Sequence, residues 1–346
     1  MKAIVINGTS ASVVADRPIP KPRPDQILVK PSYVALNPTD WKHVEFNLAA
    51  PGCISGCDYS GVVEEVGSAV TKSFKKGDKI CGVAHGANAV NVDDGVFAEF
   101  AVVKGDLQMH VPAGLTMEQA STFPLGAITC GQGLFQKALK LNLPSEPTTS
   151  GEYVLVYGGS TATGSLACQY VKLAGYKCIT TCSPKHNEWM KSHGVVPFDY
   201  KDPNCGAKIR EYTKNSLKYV FDTISLEDSA KICCEALSSE PGCKYGSVLP
   251  LKLPRDDVEA QFTLMYTIFD EEFRFGPTVF PQSHEDFEFA KMFFELTEKL
   301  LAEGKLKTHP ERLREGGLQG VLKGMEEMKS GKVSGEKLVY KVDETT

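Results

Sequence analysis

The 346-residue sequence has no apolar run long enough to cross a bilayer. The apolar stretch at its start, in MKAIVINGTSAS, is too short for a signal peptide. A chain working in the cytoplasm, off the membrane, is expected. There is no basic excess either. The net charge is −5, which disfavours a nucleic-acid partner. The one lysine cluster, Lys72, Lys75, Lys76 and Lys79, reads as a solvated turn. No repeat or low-complexity tract is present. Close cysteine quartets are also missing. Cys53 and Cys57 alone cannot build a structural zinc site, which needs four ligands. The seven histidines are dispersed, none at metal spacing. No metal is expected. The eleven cysteines are odd in number, and Cys168, Cys178, Cys233 and Cys234 fall inside apparent strands or helices. That pattern fits reduced, buried thiols.

What is present centres on Tyr153 to Cys182, YVLVYGGSTATGSLACQYVKLAGYKCITTC. Val154 to Tyr157 is a short apolar run, as in a strand buried on both faces. Gly158 and Gly159 break it, and Leu166, Ala167, Tyr170, Val171 and Ala174 then recur at helical spacing before Gly175. A strand, a tight turn, a helix and a second strand make a βαβ unit that carries a dinucleotide pyrophosphate on a helix N-terminus. The strict G-x-G-x-x-G pattern is broken by Ser160. The Ser160, Thr161 and Thr163 hydroxyls and the backbone N–H groups, Ala162 included, are candidates to hold phosphate oxygens.

Around this unit the chain predicts an α/β protein. Short strands with glycine turns over the first hundred residues predict a β-barrel-like domain. Asn37 to Lys42 is a polar turn with a helix start at Thr39 or Asp40. Met117 to Phe135 is helical with a break at Pro124 and Gly126, and the surface loop Leu143 to Gly151 is a candidate boundary. Alternating patterns follow: helix Asn187–His193, strand Val195–Phe198, helix Cys205–Thr213, strand Tyr219–Thr223, helix Glu227–Leu237 and strand Lys244–Leu249. They predict a doubly wound parallel sheet. A long helix is expected over His284–Glu303, and helix, turn and strand over Gly317–Val342. The division expected is 1–145 with 305–346 against 146–304.

The end of the second strand reads Cys182-Ser183-Pro184-Lys185-His186, with no carboxylate before Glu188. A carboxylate there would bind the ribose 2′-OH of NAD and repel a 2′-phosphate. Ser183 can hydrogen-bond such a phosphate, and Lys185 and His186 can pair with it, which favours NADPH. The alternative is a surface turn with an accidental lysine.

The ordered segments MKAIVI, GCDYSG with VVEEVG, KKGDKICG, GVFAEF, YGGSTATG and GVLKGMEEMKSGKVSGEKLVYKV resemble the medium-chain dehydrogenase/reductase superfamily over nearly the full length. The resemblance implies a GroES-like catalytic domain beside a Rossmann domain. Zinc members carry a cysteine where this chain has NPTDWK, and Gly-His-Glu where it has Gly56-Cys57-Asp58, so the resemblance also implies no zinc. Within the zinc-free branch, NPTDWK, LGAITCGQGLF, GGSTATGS, CSPKHN and FTLMYTIFDEEFRFG are similar to the fungal trans-acting enoyl reductases. These reduce the α,β-double bond of a polyketide enoyl thioester tethered to a carrier protein. The other branch reading is a quinone or enone reductase of small free substrates, and a third is a non-enzymatic NADPH-binding protein.

The resemblance implies residue roles. Lys42 and Thr129 are implied to be catalytic. Thr39, Asp40, Trp41, Lys42, Pro184, Tyr200, Leu249, Pro250, Val333 and Ser334 join the nucleotide loop as cofactor contacts. Leu125, Gly126, Thr129, Met265, Tyr266 and Thr267 line the substrate. From the residues alone, Lys42 reads equally as a surface lysine and Thr129 as a helix threonine bonding its own backbone. His43 is expected to be exposed or beside the cofactor. Asp58 is expected to hold loop structure. The aromatic segment Phe262 to Phe280 is either packing, a subunit edge or the wall of an apolar pocket. Asp270, Glu271 and Glu272 would blunt a strand edge there and favour a monomer.

Overall fold

A computed structural model describes all 346 residues. They divide into two compact units, one of Met1–Leu125, Tyr266–Gly304 and Thr308–Thr346, the other of Gly126–Met265 and Lys305–Lys307.

In the second unit six parallel strands lie in the order Val196–Asp199, Lys177–Cys182, Tyr153–Tyr157, Tyr219–Asp222, Lys244–Ser247 and Glu259–Phe262. Numbered along the chain this is 3-2-1-4-5-6, the doubly wound order with its switch point beside the first strand. Leu155, Ile179, Val220 and Tyr245 bury against Ile209 of the Cys205–Tyr212 helix and against Ala230, Cys233 and Cys234 of the Glu227–Ala236 helix. On Phe221 the ring fills the space that Gly133 leaves; a Cβ there would lie 2.3 Å from it. The expected strands and helices stand within one or two residues of their predicted ends, the Lys244–Ser247 strand stopping two residues short.

In the first unit the Gln26–Ala35 strand pairs with Asp58–Val66, Ala101–Lys104 and Lys337–Lys341. A seven-stranded sheet runs through it, with a three-stranded sheet of Ser10–Val14, Ala3–Asn7 and Cys53–Ile54 beside it. The ladder shifts register at Pro31, which has no N–H to give. Its core holds Val29, Val34, Tyr59, Ile80, Phe97, Leu318 and Tyr340. All eleven cysteines are buried and none forms a disulfide.

The boundaries differ from those read in the sequence. Residues 126–142 belong with the parallel sheet: Phe135 stacks edge-on to Tyr170 at 6.2 Å, and Tyr176 Oη donates to Asn142 Oδ1 at 3.1 Å. Residues 266–304 belong with the first unit. The His284–Ala302 helix is fixed there by Glu298, which accepts from His110 N at 3.3 Å, and by Lys291 beside Asp106 at 3.7 Å. Proline 124 opens the Pro124–Cys130 helix rather than breaking one; the Met117–Ala120 helix has already ended. Two of the three charges do not blunt a strand edge, while Glu272 is exposed. Asp270 pairs with His284 at 2.9 Å, and Glu271 binds Arg23 and accepts from Asn91 at 2.8 Å, both inside the unit. The open sheet edge is instead Glu259–Phe262, whose four residues are all exposed.

Candidate functional site

In the first unit the candidate residues stand on the Pro38–Glu45 helix. Asn37 is its N-cap and Pro38 its first residue, where a missing N–H costs nothing. Asp40 turns back to accept from Asn37 N at 2.7 Å. Its side chain is therefore committed inward, 3 % exposed, rather than displayed to a ligand. Burial, with Asp58 adding to it, pushes its carboxyl up to about 7.

Behind the cap lies a buried ion pair. Lys337 Nζ donates to Asp58 Oδ2 at 2.5 Å and to Asn37 Oδ1 at 2.9 Å. Asn37 Nδ2 closes the triangle on Asp58 Oδ2 at 2.9 Å, and Leu125 N donates to Asp58 Oδ1 at 2.8 Å. Asp58 thus anchors a helix cap, a C-terminal strand and the start of the Pro124–Cys130 helix, a wider role than the loop expected for it.

Thr39 is half-buried and carries the next group. Its Oγ1 lies 2.7 Å from Tyr266 Oη and 3.1 Å from His43 Nδ1, and Tyr266 Oη lies 3.5 Å from Cys57 Sγ. His43 Nδ1 is also 2.9 Å from the Thr39 carbonyl. A carbonyl only accepts, so Nδ1 carries the hydrogen. His43, expected to be exposed or beside the cofactor, is 2 % exposed, because Phe275 and Tyr266 close over it at 4.9 and 5.6 Å. His85 sits against Tyr266, Phe269 and Phe273 at 4.7 to 5.3 Å. Burial pushes His43 down, and His85 down to about 3, so both are neutral at neutral pH. From Tyr266 to Phe275 the aromatic rings pack around the two histidines, with Tyr266 itself 3 % exposed. Lys42 is half-buried, its Nζ 5.7 Å from the centre of the Trp41 ring, and burial lowers its ammonium from the ordinary lysine value. Val333 packs against the core of this unit and Ser334 is exposed beside it.

In the second unit the nucleotide loop has the shape its residues imply. Gly158 takes φ +85°, and a Cβ on Gly164 would lie 2.1 Å from the Gly158 carbonyl oxygen. Only glycine lets the Ala162–Leu173 helix start so close to the strand. The Thr161 hydroxyl accepts from Gly164 N at 2.9 Å as the helix cap and lies 3.2 Å from Thr223 Oγ1. Ser160, Ala162 and Thr163 are half-buried on the same turn. At the ends of the next two strands Ser183 Oγ donates to Tyr200 Oη at 3.5 Å, with Pro184 and Lys185 exposed beside them. Burial and the Lys185 charge lower His186, which weakens it as a cation. The neighbouring carboxylate, Asp199, accepts from Lys201 N at 2.9 Å. Past the fifth strand Leu249 is half-buried, its carbonyl taken by Ser247 Oγ at 2.9 Å, and Pro250 is exposed. Gly126 and Thr129 lie on the Pro124–Cys130 helix, Gly126 against Leu166. Met265 is buried and Thr267 half-buried. Lys42 and Thr129 thus belong to different units.

Residues 23–113 match the alcohol dehydrogenase GroES-like domain. The chain is 51 % identical over 281 residues to the trans-enoyl reductase TOXD of Cochliobolus carbonum, covering 81 % of this chain and 94 % of that one. It is 40 % identical to the trans-enoyl reductase resD of Aspergillus sclerotiorum, covering 99 % and 100 %. An alcohol dehydrogenase superfamily protein from Novosphingobium aromaticivorans shares its fold, with TM-score 0.78 at 23 % identity over 99 % of both chains. The chain belongs to the trans-enoyl reductases of the medium-chain dehydrogenase/reductase superfamily.

Proposed function

We propose that the chain reduces the α,β-double bond of a polyketide enoyl thioester on a carrier protein, with NADPH as reductant, acting as a monomer in the cytoplasm. Membership among the trans-enoyl reductases carries the reaction class. The Ser183–Tyr200 pair, with Lys185 beside it and Asp199 turned to its own backbone, supports the phosphorylated cofactor. Gly158, Gly164 and the helix N-terminus they permit fit a pyrophosphate, whose oxygens Ser160, Ala162 and Thr163 would meet.

Bound NADPH supplies the hydride that reaches the β-carbon. The charge left on the thioester oxygen needs donors in a site poor in water. Lys42, its ammonium partly desolvated, serves as one donor in this reading. Thr129 serves as the other, through its hydroxyl on the thioester carbonyl. Leu125, Gly126, Met265 and Thr267 line the acyl chain. The exposed sheet edge is short, four residues with Glu259 and Gln261 among them, which supports a monomer.

The test is NADPH oxidation followed with an α,β-unsaturated acyl thioester and with a panel of quinones. Faster turnover of the thioester is expected. Fast quinone turnover with an inert thioester would make the chain a quinone reductase, and tight NADPH binding with no acceptor at all would make it a non-enzymatic binder.

A further inference from the structure

Ser183 and Tyr200, read above as partners of the 2′-phosphate, stand just past the second and third strands of the parallel sheet, so the adenosine half falls to those strands. In a doubly wound sheet the other half of a dinucleotide lies across the switch point, over the fourth and fifth strands. We propose that Asp222, acting through Ser225, positions the nicotinamide half of the cofactor by clasping together the loops that leave those two strands. This rests on the nucleotide-binding reading above.

Asp222 ends the fourth strand and is fully buried. Its Oδ1 accepts from Ile224 N and Ser225 N, each at 2.9 Å. Its Oδ2 accepts from Ser229 Oγ and Tyr245 Oη, each at 2.5 Å. A carboxylate has about four acceptor sites, and these donors fill them. Asparagine could not accept all four, because one end of its amide offers hydrogens. Burial, with Cys233 and Asp222 beside it, pushes the Tyr245 phenol well above its ordinary value, so it stays a donor.

These bonds hold an unusual backbone. Ser225 takes φ +58°, the left-handed region that serine rarely adopts. There its hydroxyl donates to the Asp222 carbonyl and accepts from Val248 N, both at 2.9 Å. Val248 directly follows the fifth strand, and Ser247 Oγ fixes the next turn on the Leu249 carbonyl. The two loops are thus one piece. A strained residue persists only where its surroundings over-determine it, and such residues cluster at ligand sites.

The clasp borders the nucleotide turn. Thr223 Oγ1 donates to the Tyr157 carbonyl at 2.8 Å, which leaves the Thr161 hydroxyl to donate to it across 3.2 Å. A Cβ on Gly158 would lie 2.8 Å from Thr223 Oγ1 and 3.0 Å from Ile224 Cγ1. Thr223, Ile224, Val248 and Leu249 are half-buried, whereas Ser225, Ser229 and Tyr245 lie inside. Residues that can meet a ligand are held by residues that cannot. Asp222 is therefore a positioning residue and not a catalytic one.

The experiment compares wild type with Asp222→Asn, Tyr245→Phe, Ser225→Ala and Ser225→Gly. It measures affinity for 2′,5′-ADP, which carries only the adenosine half, and for NADPH. It also measures the emission of bound NADPH, single-turnover hydride transfer to an enoyl thioester at saturating NADPH, and the thermal midpoint. Ser225→Gly removes the clasp and the strain together, so its midpoint should stay within about 4 °C of wild type. Its hydride transfer should nonetheless fall roughly 10- to 100-fold, the scale of a small misplacement. All four variants should bind 2′,5′-ADP within about twofold of wild type, and the emission of their bound NADPH should move toward that of the free nucleotide. Transfer within about threefold of wild type in folded Ser225→Gly and Ser225→Ala, far short of that loss, would overturn the proposal. So would 2′,5′-ADP weakened as much as NADPH, the mark of a network that only supports the fold. If wild type is inert to every enoyl thioester, the enoyl reductase reading fails, and unchanged emission in the variants then overturns the proposal by itself. A wild type that binds neither nucleotide would overturn the nucleotide-binding reading and the proposal with it.

Discussion

Lys337 and Asp58 meet at 2.5 Å, 3 % and 0 % exposed, across 279 residues of chain. The pair holds the N-cap of the helix that presents Thr39 and Lys42. Removing one partner leaves a buried charge without compensation, which costs about 3–5 kcal/mol. Lys337→Met should lower stability by that order in urea denaturation. Asp58→Asn added to it should recover part of the loss, because the orphaned charge is gone.

This pair also marks where the sequence stopped being informative. The strands and helices of the parallel sheet were readable because each is a run of 4 to 12 residues with its own period and its own glycine or capping signal. Lys337 carried no such signal, since its partner is distant and a lysine in an alternating strand reads as exposed. The exposed reading of His43 fell for a related reason. Its burial depends on Phe275 and Tyr266, from a segment whose pattern was irregular. The compact units divide elsewhere than the sequence suggested because the His284–Ala302 helix looks alike whichever body its apolar face covers; the partners of Glu298 and Lys291 tie it to the first unit.

Cofactor choice should rest on Lys185. A hydrogen bond to a charged group contributes about 1.5–3 kcal/mol, so Lys185→Ala should weaken NADPH by roughly 10- to 100-fold and leave NADH little changed. Fluorescence titration with each nucleotide measures the ratio. Ser183→Asp should go further and favour NADH, because a carboxylate at that strand end accepts from a 2′-OH and repels a 2′-phosphate.

Gly164 should tolerate no side chain. Its Cβ would lie 2.1 Å from the Gly158 carbonyl oxygen, and that backbone cannot give way without reshaping the loop. Gly164→Ala should abolish measurable NADPH binding. The first unit should keep its fold, which protection of its backbone amides in hydrogen exchange would report.

Two buried carboxyls should set how stability depends on pH. Burial raises both Asp40 and Asp94 to about 7 from 3.8. Each is therefore easier to protonate folded than unfolded. Their contribution is fully present below about 3.8 and is lost as pH rises through about 7. Asp25 and Asp106 are lowered and act oppositely, losing their contribution as pH falls below the ordinary aspartate range. Urea midpoints should thus peak near pH 4 and decline up to about pH 7. Asp94→Asn and Asp40→Asn should each flatten the decline.

Activity should survive a chelator. Cys57 is the cysteine of the turn that aligns with the Gly-His-Glu of zinc members, and a zinc ligand must be a thiolate. Burial, with Asp40 and Asp58 adding negative charge, pushes the Cys57 thiol well above its ordinary value. Its sulfur lies 3.5 Å from Tyr266 Oη. A thiol held protonated offers a metal little. Dialysis against EDTA should leave thioester reduction unchanged, and elemental analysis should find far less than one zinc per chain. Loss of activity on dialysis, restored by zinc, would overturn this.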